Sequence, residues 1–227
     1  MPGLLSNITA GYSPLESWIF DRFVAPSTTP IFVDLLDGMV PELPVPPAKL
    51  RVVDVGCGGG HYVLALARKC PQLSFIGVDL SVEQIRRAER RRSEAGAGNV
   101  RFLEGDALHL PLESESADLV VSVGSLKHWP DARQGLAECV RILSRGGRMI
   151  IWECNPEASL DEVLIFVRVF CKPTFLQRPL ARTFLERTAR PSPSCGQLRA
   201  IARDLPLSTS VVETLAGSPF LRIIATK

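Results

Sequence analysis

The chain has 227 residues, 46% of them hydrophobic and 22% charged, with 26 basic and 24 acidic side chains for a formal charge of +2. That composition excludes a disordered chain, and the near-balanced charge excludes a global polyanion-binding surface. A chain of this length buries about 70% of its unfolded surface and needs neither disulfide nor metal to hold its core.

The longest apolar runs, such as Val163–Val167, are far shorter than a membrane span of about 20 residues. The N-terminus lacks the basic start and apolar stretch of a secretory signal. The six cysteines (57, 70, 139, 154, 171 and 195) lie at least 13 residues apart without a CxxC pair, so zinc ribbons and redox motifs are absent and no metal is expected. Scattered thiols of this kind read as reduced core residues of a cytoplasmic protein.

In chain order, residues 1–49 are Pro-rich and irregular, and are taken as an N-terminal helical cap segment ahead of the core. A regular alternation then begins. The sequence predicts strands at 50–55, 73–78, 100–103, 117–123 and 148–153. Helices are predicted over 61–69, over 82–95 with Ser81 as N-cap, and over 131–144, the last stopped by Gly146-Gly147. Residues 207–215 and 220–226 read as an antiparallel hairpin at a sheet edge. The expected architecture is one α/β domain over 1–227, a Rossmann-like, doubly wound sheet of seven strands that is parallel except for the C-terminal hairpin. Its parts are a cofactor-binding core over 50–155, a helical substrate cap over 156–206 and the hairpin over 207–227.

Chemistry concentrates after the first strand, in Asp54-Val55-Gly56-Cys57-Gly58-Gly59-Gly60. Glycines at the carboxyl end of a parallel strand let backbone approach a ligand where a Cβ would clash. His61 breaks the GxGxxG dinucleotide fingerprint, which disfavours a nicotinamide enzyme. Asp79, at the end of the second strand, is placed to accept both hydroxyls of a ribose, and Asp106 follows the third strand at a distance suited to an adenine amino group. His128 and Trp129 lie just past the fourth strand, at the mouth of the site.

DVGCGGG, GVDLS, EGDA, ADLVVSVGSLKHWPD and RILSRGG together resemble the class I S-adenosylmethionine-dependent methyltransferases, in particular the small-molecule group related to ubiquinone and menaquinone biosynthesis. The resemblance covers about residues 50–153 and fades in 1–49 and 156–206. It implies S-adenosyl-L-methionine as cofactor, with S-adenosyl-L-homocysteine as product. Asp54, Gly56, Gly58 and Gly60 would shape the methionine side, with Cys57 also at the cofactor, His61 near the methionine carboxylate and Tyr12 folding over from the N-terminal segment. Asp79 and Leu80 would hold ribose and adenine, Asp106 and Ala107 would flank the adenine, and Val123 would line the path to the sulfonium. His128 is the candidate base. An Asn/Asp-Pro-Pro-aromatic run after strand four, the mark of many amino-methylating enzymes, is absent.

Two basic stretches remain. Residues 83–92 read as a solvated helix face. Between Arg168 and Arg203 stand eight basic residues and one acid, Glu186. Arg178 and Arg182 are the candidates there for steering an anionic small acceptor, while Trp129 suits an aromatic one. Phe170, Phe175 and Phe184 read as buried by spacing, which disfavours a nucleic acid as partner. No membrane partner is expected. The reading is therefore a small-molecule methyltransferase. An RNA or protein methyltransferase using the basic cap, or an inactive S-adenosylmethionine-binding regulatory protein, are the alternatives.

Overall fold

Residues 20–37 and 50–227 are described by a computed structural model. Among the described residues there are seven strands: β1 (Arg51–Val55), β2 (Ser74–Asp79), β3 (Val100–Glu104), β4 (Ala117–Val123), β5 (Leu143–Cys154), β6 (Thr209–Thr214) and β7 (Phe220–Thr226). They hydrogen-bond in the order β3-β2-β1-β4-β5-β7-β6. The first five run parallel, and β7 returns antiparallel to both β5 and β6. This is the doubly wound sheet with an edge hairpin that the sequence predicts.

The strands read as they do because both sheet faces are covered. β4 is buried at six successive positions, Ala117 to Ser122, which requires a continuous run rather than an alternating one. On one face Val52, Phe75, Leu119, Ile150 and Trp152 pack against α1 (Ala25–Asp37) and α2 (His61–Lys69). On the other, Val53, Val120 and Ile151 pack against α4 (Ala132–Ile142) and α7 (Cys195–Arg203). The helix α3 (Val82–Ala95) starts at Ser81, whose hydroxyl accepts the Gln84 N–H, as the sequence anticipates.

Two expectations change. The fourth helix ends at Ile142, and Leu143 already has strand dihedrals, so Gly146 and Gly147 lie within β5 instead of stopping a helix. A Cβ on Gly147 would meet the carbonyl oxygens of Ser144 and Asp118, which ties this glycine to an irregularity in the β4–β5 register. The 156–206 stretch also divides. The helices α5 (Leu160–Phe170) and α6 (Thr174–Phe184) and the π-helical turn Leu185–Ala189 share a small core of Val163, Val167, Ala181, Leu185 and Ala189, whereas α7 belongs to the main sheet. The small core is fastened by aromatic edges: Phe166 contacts Phe220 at 4.8 Å between ring centroids, and Phe220 contacts Phe32 at 5.4 Å.

Strand order reverses at β1, with β2 on one side and β4 on the other. In open α/β sheets, the crevice at the carboxyl ends of such strands is where ligands bind. The carboxyl ends of β1, β2 and β4 therefore define the candidate site.

Candidate functional site

Asp54 lies near the end of β1 and is 3% exposed. Neither carboxylate oxygen has a hydrogen-bond partner among the described residues. Burial, reinforced by the nearby Asp79 charge, pushes its pKa up to about 7. An unpaired buried carboxylate is costly, and a cation is the group that relieves it.

The loop after Asp54 is shaped by two glycines with different tasks. Gly56 has φ +77, and a Cβ there would overlap the Ser125 side chain, so glycine is what lets this loop pass against the turn after β4. Gly58 has φ +51, and a Cβ there would meet nothing within 4 Å, so its backbone faces open space. The loop is pinned by the Gly56 and Cys57 N–H groups, which donate to the Val78 carbonyl at 2.7 and 3.0 Å. Burial pushes the Cys57 thiol well up, making it an inert wall rather than a nucleophile.

Asp79 ties the two strand ends together. One oxygen accepts the Gly58 N–H at 2.8 Å and the other the Ser81 N–H at 2.9 Å. Burial raises its pKa against the opposing effect of these bonds. Each oxygen keeps a further lone pair, so the carboxylate can still accept ligand hydroxyls. Leu80 beside it is 62% exposed, an apolar surface without a protein cover. After β3, Asp106 accepts the Leu108 N–H at 2.9 Å and closes a local turn with Ala107.

The turn after β4 is more heavily built than its sequence suggests. Ser122 and Ser125 hydroxyls both donate to the Val55 carbonyl, at 2.7 and 3.0 Å, fixing β4 to β1 beside Asp54. Val123 is half-buried there. Glu153, fully buried at the end of β5, accepts the Lys127 backbone N–H at 2.9 Å and pairs with Lys127 Nζ at 3.2 Å. Lys127 Nζ also donates to the Gly124 carbonyl. His128 follows on the same 3-10 turn, half-buried, with its backbone N–H on the Ser125 carbonyl. Trp129 is half-buried as well, its indole packed against Gly135 of α4, so at least one ring face serves the fold.

Three expectations meet different surroundings. His61 Nε2 lies 3.1 Å from Asp21, which commits the imidazole to the π-helical turn Phe20–Val24. Arg87 and Arg91, expected on a solvated face, turn to the same carboxylate at 3.1 and 3.2 Å, and Arg91 donates to the Gly59 carbonyl at 2.7 Å. Burial would raise the Asp21 pKa, but hydrogen bonds from His61, Arg87 and Arg91 hold it at about 2. This cluster fastens the Phe20–Val24 turn to the glycine loop, and sequence spacing gives no sign of it. Phe175 is 78% exposed rather than buried, and Arg178 and Arg182 stand exposed on the same helix, α6. Tyr12 lies outside the described residues.

A seven-stranded 3-2-1-4-5-7-6 sheet with a glycine loop after β1 and an acid at the end of β2 is the arrangement of the Rossmann-like, S-adenosylmethionine-dependent methyltransferases. Solved structures carry the same fold. A protein of Methanococcus maripaludis described as such a methyltransferase superposes with a TM-score of 0.74 at 19% identity, covering 100% of this chain and 97% of that one. An Aquifex aeolicus methyltransferase gives 0.65 at 15% identity, covering 94% and 98%.

In sequence, residues 53–151 match the family model described as "Methyltransferase domain". A demethylmenaquinone methyltransferase of Deinococcus radiodurans is 38% identical over 109 residues, 48% of this chain and 45% of that protein. Its Thermus thermophilus counterpart is 33% identical over 115 residues, 51% and 52%. Residues 53–151 thus resemble a methyltransferase domain on a sheet of the same fold, and the chain spans about half the length of the curated relatives it matches.

Proposed function

We propose that this chain transfers a methyl group from S-adenosyl-L-methionine to a small aromatic acceptor of the hydroquinone class. The observation that carries the cofactor half is Asp54, a buried carboxylate without a protein partner among the described residues, beside an open glycine loop. The acceptor class is supported by the relatives named for demethylmenaquinone and for 2-methyl-6-phytyl-1,4-hydroquinone, the latter 37% identical over 99 residues in rice.

When bound, the cofactor supplies a methyl group on a sulfonium, already activated for in-line displacement. The chain's residues supply position and a dry site. Asp54 offers the negative charge that a cationic ligand needs, and the Gly56–Gly58 backbone lets that ligand approach. Asp79 is the acceptor for ribose hydroxyls, with Leu80, Asp106 and Ala107 around the adenine. Val123 and the Gly124–Ser125 turn, held rigid from below by Lys127 and Glu153, border the reacting centre. For proton removal from a phenolic acceptor, His128 is the base on this turn, the imidazole that follows Lys127 past β4. Much of the acceleration then comes from positioning, which is sensitive to the rigidity of that turn.

The test is calorimetry with S-adenosylmethionine, followed by incubation with methyl-labelled cofactor and a panel of hydroquinones. Tight binding with transfer to an aromatic hydroxyl or ring carbon is expected. Binding without transfer to any member of the panel would reject the acceptor class, and no binding would reject the cofactor. His128→Gln should lower turnover by about 10²–10⁴ while cofactor affinity stays put; a drop below about fivefold would make the residue structural.

A further inference from the structure

The helix α6 has two apolar sides. One is turned inward, where Ala181 is fully buried and Phe184 packs on Phe166 at 5.3 Å. At about 100° per residue, Phe175, Leu176, Pro179 and Leu180 fall together on the other side. That side is solvent-facing: Phe175 is 78% exposed, Leu176 41% and Leu180 41%. A surface helix ordinarily offers charge to water there, so a phenylalanine, two leucines and a proline in one patch mark a contact surface.

The rim of the patch is cationic. Arg178 and Arg182 are exposed at its border, with Arg168 and Lys172 before them and Arg187 and Arg190 after. The chain holds no acid between Glu162 and Glu186. Glu186 is the one acid between Arg168 and Arg190, and apolar side chains with a mostly basic rim are the signature of a helix that lies in a bilayer interface, with rings and leucines among acyl chains and arginines at anionic headgroups.

We propose that the outer face of α6 docks this chain on the surface of an anionic lipid bilayer. Charge complementarity selects that occupant. A nucleic acid would use the arginines but has no use for exposed Leu176, Pro179 and Leu180, which do not stack on bases. The contact is with the surface, since among the described residues no helix is long and apolar enough to cross a membrane. The sequence expectation of no membrane partner rests on the lack of a span, which says nothing of a second, outward apolar side on α6. The inference stands on α6 alone and not on the proposed reaction.

The test is flotation of the full chain with vesicles of phosphatidylcholine, with and without phosphatidylglycerol, at low and high salt, with no activity readout. The chain should float with the anionic vesicles at low salt only. Arg178→Gln with Arg182→Gln should weaken the apparent affinity by about fivefold per arginine. Phe175→Ser with Leu180→Ser should abolish flotation with all arginines in place. All four side chains are exposed, so these variants should keep the parent's circular dichroism and melting temperature. In Phe175→Trp, tryptophan emission should shift to the blue when anionic vesicles are added. Failure to float with anionic vesicles overturns the proposal. Flotation unaffected by the Phe175 and Leu180 substitutions also overturns it, and if RNA competes it away, the surface is a polyanion site instead.

Discussion

Asp54 and Asp118 sit on neighbouring strands, one near the carboxyl end of β1 and the other near the start of β4, and are almost equally buried at 3% and 4% exposure. Their surroundings are opposite. Asp118 accepts the Arg51 backbone N–H at 3.0 Å, the Arg51 guanidinium at 3.0 and 2.9 Å, and the Ser144 hydroxyl at 3.0 Å. Burial would raise its pKa, but the Arg51 bonds hold it below the ordinary value. Asp54 has no such partner among the described residues and is raised to about 7. The lower edge of the sheet uses its carboxylate for cohesion. The upper edge leaves one without a hydrogen-bond partner among the described residues, a cost to the fold that a bound cation would offset.

The largest effect expected from breaking this contrast is on stability. Asp118→Ala removes four hydrogen bonds and the counter-charge of Arg51, which keeps its bond to the Ser144 hydroxyl. Arg51 is 46% exposed, so solvent takes up part of its charge, and a loss of about 2–3 kcal/mol is expected. The melting temperature should fall by about 4–12 °C with cofactor affinity unchanged. An equal loss of affinity would show that the two edges are not independent.

Asp54→Asn should do the reverse. Because its pKa is raised on folding, Asp54 costs stability progressively as pH rises from the unfolded value to about 7, and by a constant amount above that. The variant should therefore melt about 2–4 °C higher above neutral pH, worth about 1 kcal/mol, and bind S-adenosylmethionine at least tenfold more weakly, about 1.4 kcal/mol. A variant that melts lower would make Asp54 a structural partner.

The same titration gives a pH dependence for the parent. A cationic ligand binds the ionised carboxylate, so cofactor affinity should rise about tenfold between about pH 6 and about pH 8, as the ionised fraction grows from about 0.1 to about 0.9. Calorimetry across that range checks it, and Asp54→Asn should flatten the curve. The smallest effect concerns Asp21, whose lowered pKa keeps it charged across this window; its contribution is lost only as pH falls toward about 2. Asp21→Asn should cost about 1 kcal/mol, since its partners are themselves partly exposed, and should release protease sensitivity in residues 20–37 before the sheet melts.

How far the chain can be read follows from the range of each interaction. The glycine loop, Asp79 and the Ser81 cap involve residues close in sequence or at fixed places on strand ends, so periodicity and turn chemistry are enough to find them. The Asp21 cluster joins residues 40 to 70 positions apart, with Asp21 itself in a stretch that reads as irregular. Glu153 is visible as an acid closing the apolar run Met149–Trp152, but its partner Lys127 lies on another strand's turn. The helix expected over 131–144 runs two residues past its C-terminal end at Ile142, because a Gly-Gly pair that serves a strand irregularity has the same sequence appearance as a helix stop.

The sequence by itself determined the class of sheet, the succession of its parallel strands along the chain and the position of the glycine loop, because burial on both faces forces unbroken apolar runs and a tight strand-to-helix turn forces glycine. Only the tertiary structure decided which carboxylate is left without a partner and which side of α6 faces water. A run such as Phe175-Leu176 followed by Leu180 and Ala181 satisfies helical spacing on two sides at once, and what a neighbouring helix covers is a property of packing between distant segments, not of the spacing within one.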